Sequence, residues 1–129
     1  MKRVGSLLLL GSVWAFAPAT SRADTFTVLV TAIPAAFTPS DLTILVGDRV
    51  VWAWIGGTHT VSADDASFDS GLHSAPFRYR RPFFSPGDVF YHCQVHGGPG
   101  GIGQSGVIHV IPGRDGDDDN DPFDCLIRR

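Results

Sequence analysis

The sequence is poor in several residues that favour helices. It has no glutamate, its one lysine is Lys2, its one methionine is Met1, and all 13 of its acidic residues are aspartate. Glutamate, lysine and methionine are good helix formers, whereas this chain contains 15 glycines and nine prolines. The composition therefore disfavours a helical bundle and favours β structure.

The first 23 residues have the pattern of a cleaved secretory signal. Lys2 and Arg3 precede an apolar run over residues 7–17, which is too short to span a bilayer comfortably. Ser21 and Ala23 then give the small-residue spacing that a signal peptidase accepts, and cleavage after Ala19 is the alternative. The sequence thus predicts an exported protein, periplasmic or otherwise extracellular. The 129 residues minus these 23 leave 106, enough for one small domain.

Without the signal, the chain is acidic. Three basic residues leave with residues 1–23, so the ten basic residues fall to seven against 13 aspartates, a net charge near −6. Such a balance disfavours nucleic acid as a partner.

The C-terminal segment, residues 114–129, has a different composition from the domain before it. It holds six aspartates and few apolar residues, so it is predicted to be a disordered acidic tail. A calcium loop is the alternative interpretation. Against it, Asn120 stands where such a loop needs glycine, and Leu126 stands where it needs a bidentate acid.

Between these ends, over residues 24–113, short apolar and β-branched runs alternate with turn residues. This pattern predicts an all-β domain, an antiparallel sandwich or barrel, although it does not predict the pairing order. Seven runs are candidates for strands: residues 26–31, 42–46, 50–55, 59–62, 77–83, 89–93 and 106–111.

Three residues have the chemistry and the placement of metal ligands. His59 follows Gly56-Gly57-Thr58 after a strongly apolar strand, Cys93 ends a later strand, and His96 stands at the start of a predicted loop, GGPGGIG, at residues 97–103. One thiolate with two imidazoles makes a trigonal set that favours copper. In an oxidising compartment a disulfide between Cys93 and Cys125 is the alternative, and under the copper interpretation Cys125 is an unpaired thiol.

Residues 37–110 resemble the cupredoxins, and specifically the small plastocyanin-like blue copper proteins. The resemblance is carried by LTILVGDRVVW, GGTHTV, FDSG, a run from Phe83 to Cys93 ending in YHC, and CQVHGGPGGIGQSG. It implies a single-domain Greek-key β-sandwich that binds one type 1 copper ion and carries one electron between larger partners. It also implies His59, Cys93 and His96 as the equatorial ligands, and the backbone N–H of Thr60 as a donor to the cysteine sulfur.

The chain departs from the common family pattern at the axial position. Members usually have methionine just before the Ser-Gly that starts the last strand, whereas this chain has Gln104 there, as the stellacyanin-like cupredoxins do. Because Met1 lies in the predicted signal, a thioether ligand is excluded. A harder amide oxygen favours Cu(II), so we expect a reduction potential below that of a methionine-ligated relative.

The other histidines and the tryptophans have plainer interpretations. His73 is expected to be solvated in a loop, His109 to lie on the outer face of the last strand, and His92 to be exposed. A second electron-transfer surface at His92 is the less favoured alternative. Trp52 and Trp54 alternate on one strand and are expected to pack in the core.

The function most consistent with these residues is exported electron transfer without catalysis. Redox partner proteins would dock near His96, and the chain is expected to be a monomer that has no small-molecule substrate and meets the membrane only through a partner. Three alternatives stay open: an enzyme of the multicopper oxidase or nitrite reductase type, a copper-delivery module, and a cupredoxin fold that has lost its redox role. An enzyme would need further coppers and histidines, and five histidines in one small domain are few for that.

Overall fold

The structure, a computed structural model, describes Gly11 and residues 22–113. The predicted acidic tail, Cys125 and nearly all of the predicted signal lie outside the described residues. The domain boundaries at residues 23 and 113 therefore stay predictions. In the described part of the chain there is no helix long and apolar enough to cross a membrane.

Over the described residues the chain forms ten β-strands, so the all-β prediction is confirmed. The strands are β1 (Thr25–Ala32), β2 (Ala35–Thr38), β3 (Asp41–Leu45), β4 (Arg49–Trp54), β5 (Thr58–His59), β6 (Ser62–Ala63), β7 (His73–Ser74), β8 (Phe77–Pro82), β9 (Gly87–Gly98) and β10 (Ile102–Ile111). Each of the seven predicted runs overlaps a strand. The run over residues 59–62 divides into β5 and β6, and the sequence did not indicate β2 or β7.

The strands build two four-stranded sheets and one short pair. One sheet has the order β2-β1-β4-β8 and the other β3-β10-β9-β6, while β5 pairs with β7. Five of the seven described strand pairs are antiparallel, as predicted, whereas β1 pairs with β4 and β3 with β10 in parallel. Each parallel pair joins strands that are distant in sequence, and such pairing leaves no local pattern in the residues.

The core between the sheets is aromatic and centres on Trp52. Its ring lies 5.4 Å from that of Tyr91 and 5.7 Å from that of Tyr79, centroid to centroid. Trp52 and Trp54 are both buried, as expected. Burial raises the pKa of Tyr91 to about 12, so its phenol stays neutral. Opposite Tyr91 on β10 stands Gly106, where an added Cβ would lie 2.5 Å from the phenol ring. The close approach of this ring requires glycine there.

The β9–β10 hairpin is longer than predicted at both strands. Gly97 pairs with Gly103 and Gly98 with Ile102, so the glycine-rich stretch continues the two strands and turns only at residues 99–101. The expectation of a loop over the whole of residues 97–103 was therefore wrong. Glycine and proline lowered the strand signal there, but cross-strand pairing overrides that local preference.

On the outer face of the second sheet, His109 bridges carboxylates from both neighbouring strands. Its Nδ1 lies 2.7 Å from Asp88 Oδ1 and its Nε2 lies 3.1 Å from Asp41 Oδ1. The hydrogen bond to Asp88 raises the pKa of His109 above its ordinary value of 6.5; desolvation opposes this effect, and the bond to Asp41 adds to it. The imidazolium therefore links β10 to β9 and β3.

We expect this link to make stability depend on pH above about 6.5. A pKa that is higher in the folded than in the unfolded chain contributes stability that is complete below the unfolded pKa and is lost as pH rises through the folded one. Urea unfolding of wild type and His109→Gln between pH 5 and 9 measures this. The stability difference should be largest at the acid end and shrink with rising pH, and a pH-independent difference would contradict the link.

Candidate metal centre

Three potential ligand atoms converge at one end of the sandwich. His59 Nδ1, Cys93 Sγ and His96 Nδ1 all lie within 4.8 Å of one another. The two Nδ1 atoms are 3.1 Å apart, and Sγ lies 3.9 Å from that of His59 and 3.6 Å from that of His96. The structure thus brings together the three residues that the sequence predicted as ligands, from β5 and from β9.

The His59 ring is held by a backbone carbonyl on the side away from this cluster. Its Nε2 lies 3.0 Å from the oxygen of Gly56, so Nε2 carries the proton and donates it to that oxygen. This bond turns Nδ1 towards Cys93 and His96. Gly57 permits this placement, because its φ is +75° and an added Cβ would lie 2.6 Å from Nε2.

The sulfur of Cys93 is fully buried and receives one backbone donor. The N–H of Thr60 lies 3.4 Å from Sγ, as the family resemblance implied. The hydroxyl of Thr60 in turn accepts the N–H of Gln94 at 2.9 Å, which ties β9 to the turn after His59. These bonds fix the sulfur position independently of any ion.

Gln104 is buried beside the three residues and is oriented by its own amide. Its Nε2 donates to the carbonyl of Ala36 at 3.1 Å, which leaves Oε1 2.9 Å from His59 Nδ1. The register of the hairpin shifts between Gly103 and Ser105, and such a bulge re-aims the side chain at its position.

The short distance between the Gln104 oxygen and the His59 ring nitrogen indicates what kind of group the site can hold. In the tautomer with its proton on Nε2 alone, His59 Nδ1 and Gln104 Oε1 are two acceptors 2.9 Å apart. Two lone pairs at that distance repel unless a proton or a cation lies between them. The arrangement therefore suits a metal ion.

Two other histidines differ from the expectation of exposure. His92 is 7% exposed, and its Nδ1 contacts Asp64 Oδ1 at 2.6 Å. His73 is half-buried and stacks on Phe77 with ring centroids 3.5 Å apart. Both expectations were wrong, because the sequence carried no signal for the partners that cover these rings.

His109 does lie on the outer face, between the buried side chains of Ile108 and Val110.

The sequence also gave no signal for the groups that orient the cluster. The carbonyls of Gly56 and Ala36 are main-chain atoms, which any residue type would supply. Their role depends on where the chain folds, so only the structure identifies them.

Comparison with known proteins gives the following matches. No protein family model matches the chain. Mouse fibrocystin-L is 31% identical over 100 residues, which cover 65% of this chain and 2% of that protein. The match thus spans only a small part of that relative.

Solved structures share the fold more extensively. A copper-containing nitrite reductase from Thermus scotoductus aligns with a TM-score of 0.55 at 25% identity, over 67% of this chain and 22% of that one. A purple cupredoxin from Nitrosopumilus maritimus aligns with a TM-score of 0.55 at 21% identity, over 67% and 99%. A Met-to-Gln mutant of amicyanin in its Cu(I) form aligns with a TM-score of 0.56 at 22% identity, over 67% and 82%.

The His59 geometry predicts its tautomer in the metal-free protein. We expect a neutral ring protonated at Nε2, because that proton bonds Gly56 O. Long-range ¹H–¹⁵N correlation spectra at pH 8 distinguish the two ring nitrogens, and His73, which lies outside the cluster with its Nε2 bonded to Ser70 O, serves as the assignment control. Protonation at Nδ1 would contradict the orientation described above.

Proposed function

We propose, from the premise that the chain has the Greek-key β-sandwich fold of the cupredoxins, that it is an exported type 1 copper protein that carries single electrons. The observation that supports this most directly is the convergence of one thiol, two imidazole nitrogens and one amide oxygen. The ligands we assign are His59, Cys93 and His96, with Gln104 in the axial place.

The donor atoms fit such an ion in chemistry and in spacing. Atoms that each lie about 2.0–2.3 Å from one shared ion stand roughly 3–4 Å apart. The three separations here are 3.1, 3.6 and 3.9 Å. A cysteine, two histidines and a weak axial oxygen form the ligand set of blue copper sites, and bound copper supplies the one-electron Cu(II)/Cu(I) couple.

Some residues of the site shield the ligand atoms from water, and one connects the site to the protein surface. His59, Cys93 and Gln104 are each at most 2% exposed, and they exclude water from the ligand atoms. His96 is exposed, so its ring edge is the shortest route from the site to the surface. The Thr60 N–H that points at Cys93 Sγ stabilises negative charge on the sulfur.

The surface around His96 is suited to brief docking with a redox partner. Segments 32–34, 55–58 and 95–103 meet at this end and contain no charged residue. Ile33, Ile55, Val95 and Ile102 there are each more than half exposed. An apolar, uncharged rim permits short-lived contacts of the size typical of electron-transfer complexes.

We propose that redox partner proteins dock on this surface and that the carrier is a monomer. We propose no nucleic acid partner and no small-molecule substrate, and membrane contact only through a partner protein.

We also propose that the chain is not an enzyme, although one structural neighbour is a nitrite reductase. Among the residues that the structure describes, His59, Cys93 and His96 form the one cluster of three potential ligands. His73, His92 and His109 are bonded elsewhere, to Ser70 O, Asp64 and Asp88. They do not assemble a second metal site of the kind that copper enzymes of this fold require.

The metal assignment is tested with the chain from residue 24 onward. Addition of one equivalent of Cu(II) should produce an intense visible thiolate-to-copper band and an EPR spectrum with narrow hyperfine splitting. Cys93→Ala should abolish the band, while Cys125→Ala should retain it. A colourless product, or an ordinary cupric EPR spectrum, would overturn the proposal.

The role of Gln104 is tested by its reduction potential. Gln104→Met should raise the potential by more than about 59 mV, the shift for a tenfold change in a one-electron equilibrium constant, because a thioether favours Cu(I) more than an amide oxygen does. Gln94→Met, on the exposed face of the same hairpin, is the matched control. Protein-film voltammetry that gave equal or lower potentials for Gln104→Met would remove Gln104 from the ligand set.

A further inference from the structure

Asp64 joins two parts of the hairpin that carries the candidate ligands. Its Oδ1 accepts the Nδ1–H of His92 at 2.6 Å, on the strand residue before Cys93. Its Oδ2 accepts the backbone N–H of Gly100 at 2.9 Å, at the hairpin tip. The Asp64 backbone N–H is itself fixed to Phe90 O at 2.9 Å, so the carboxylate projects from a rigid position beside β9.

The hairpin tip, residues 97–103, has cross-strand pairing at its base but a glycine-rich turn. Five of the seven residues from 97 to 103 are glycine, and Gly100 and Gly101 both have positive φ. Glycine loses more conformational freedom on ordering than other residues do, so a turn of this composition has little intrinsic preference for one shape. Within the described residues, two side-chain hydrogen bonds reach residues 97–103: Ser105 Oγ donates to Gly103 O within the hairpin, and Asp64 is the one partner from outside it.

The shape of this tip determines where two of the candidate ligands stand. His96 lies immediately before it on β9 and Gln104 immediately after it on β10. Gly97 and Gly103 approach so closely across the hairpin that an added Cβ on Gly103 would lie 2.4 Å from the carbonyl oxygen of His96. A rearrangement of the tip would therefore move His96 relative to Gln104.

We propose that Asp64 is a positioning residue for the metal centre, holding the 97–103 hairpin tip so that His96 and Gln104 keep their separation. The inference rests on the proposed copper function for its consequence at the metal. Its structural half, the restraint of the tip, holds with or without an ion.

Four variants separate the two hydrogen bonds of the Asp64 carboxylate, one to His92 on the strand and one to Gly100 at the tip. Asp64→Ala removes both bonds. Asp64→Asn can keep both, because its oxygen accepts from Gly100 while its amide donates to the other tautomer of His92. His92→Phe removes only the hydrogen bond between Asp64 and the strand. Asp65→Ala is the matched control. It removes the same charge one position along the chain, and the Asp65 carboxylate accepts from the Ser67 N–H within its own turn.

The first measurement uses the metal-free protein. Hydrogen exchange of the Gly100 amide should be about three- to tenfold faster in Asp64→Ala, the change expected for one lost hydrogen bond. It should stay near wild type in Asp64→Asn, His92→Phe and Asp65→Ala. Unchanged exchange in Asp64→Ala would overturn the restraint. Should that variant fail to fold, Asp64→Ser, whose side chain is too short to span both partners, applies the same test.

The second measurement uses the copper-loaded protein. Loss of an outer residue that orients metal ligands typically lowers affinity roughly ten- to hundredfold, so Asp64→Ala should release copper faster by about that factor and alter the EPR hyperfine splitting. Asp64→Asn should restore both properties, and Asp65→Ala should leave them at wild type. If His92→Phe reproduced the whole effect, positioning through the hairpin tip would be wrong.

The two experiments fail independently. A wild-type protein that formed no blue site would refute the copper function, while Gly100 exchange would still decide whether Asp64 restrains the tip. A blue wild-type site that was indifferent to Asp64→Ala would refute the positioning role and leave the copper function standing.

Discussion

The end of this sandwich is organised around an approach that is unfavourable by itself. His59 Nδ1 and Gln104 Oε1 face each other as acceptors at 2.9 Å, and the thiol of Cys93 lies beside them without access to water. Each is kept there by a bond on its far side: Gly56 O for the imidazole, Ala36 O for the amide, and the Thr60 N–H for the sulfur. All three restraints are backbone atoms, which cannot rotate away as side chains can.

The rigidity of those backbone atoms depends on the two sheets. Gly56 follows β4, whose Trp52 lies at the centre of the aromatic core, and Ala36 belongs to β2, at the edge of the same sheet. Cys93 and Gln104 come from the β9–β10 hairpin of the opposite sheet. The packing of one sheet on the other therefore sets the distance between the Ala36 carbonyl and the Gln104 amide, whereas Gly56 holds His59 within one connection.

Sequence reasoning predicted the chemistry of this centre better than its supports. Cys93, His96 and distant His59 were recognisable because their residue types are rare and their order is distinctive. Gln104 was recognisable by its place before Ser-Gly. The burial of His92 was not predicted, because it depends on a contact with Asp64, 28 residues earlier in the chain. The parallel pairings of β1 with β4 and of β3 with β10 were not predicted for a related reason. The alternation of apolar and polar residues within a strand does not identify the strand beside it in the sheet.

The preset positions of the ligand atoms also bear on how the protein would distinguish one metal from another. A site that closes only around the correct ion can reject others by failing to fold, whereas here the imidazole, amide and thiol are held by bonds that need no ion. Zinc also accepts cysteine and histidine ligands in a tetrahedral set of four. Discrimination would then rest on intrinsic affinity, which is higher for Cu²⁺ than for Zn²⁺, and on which metal is supplied where the chain is loaded.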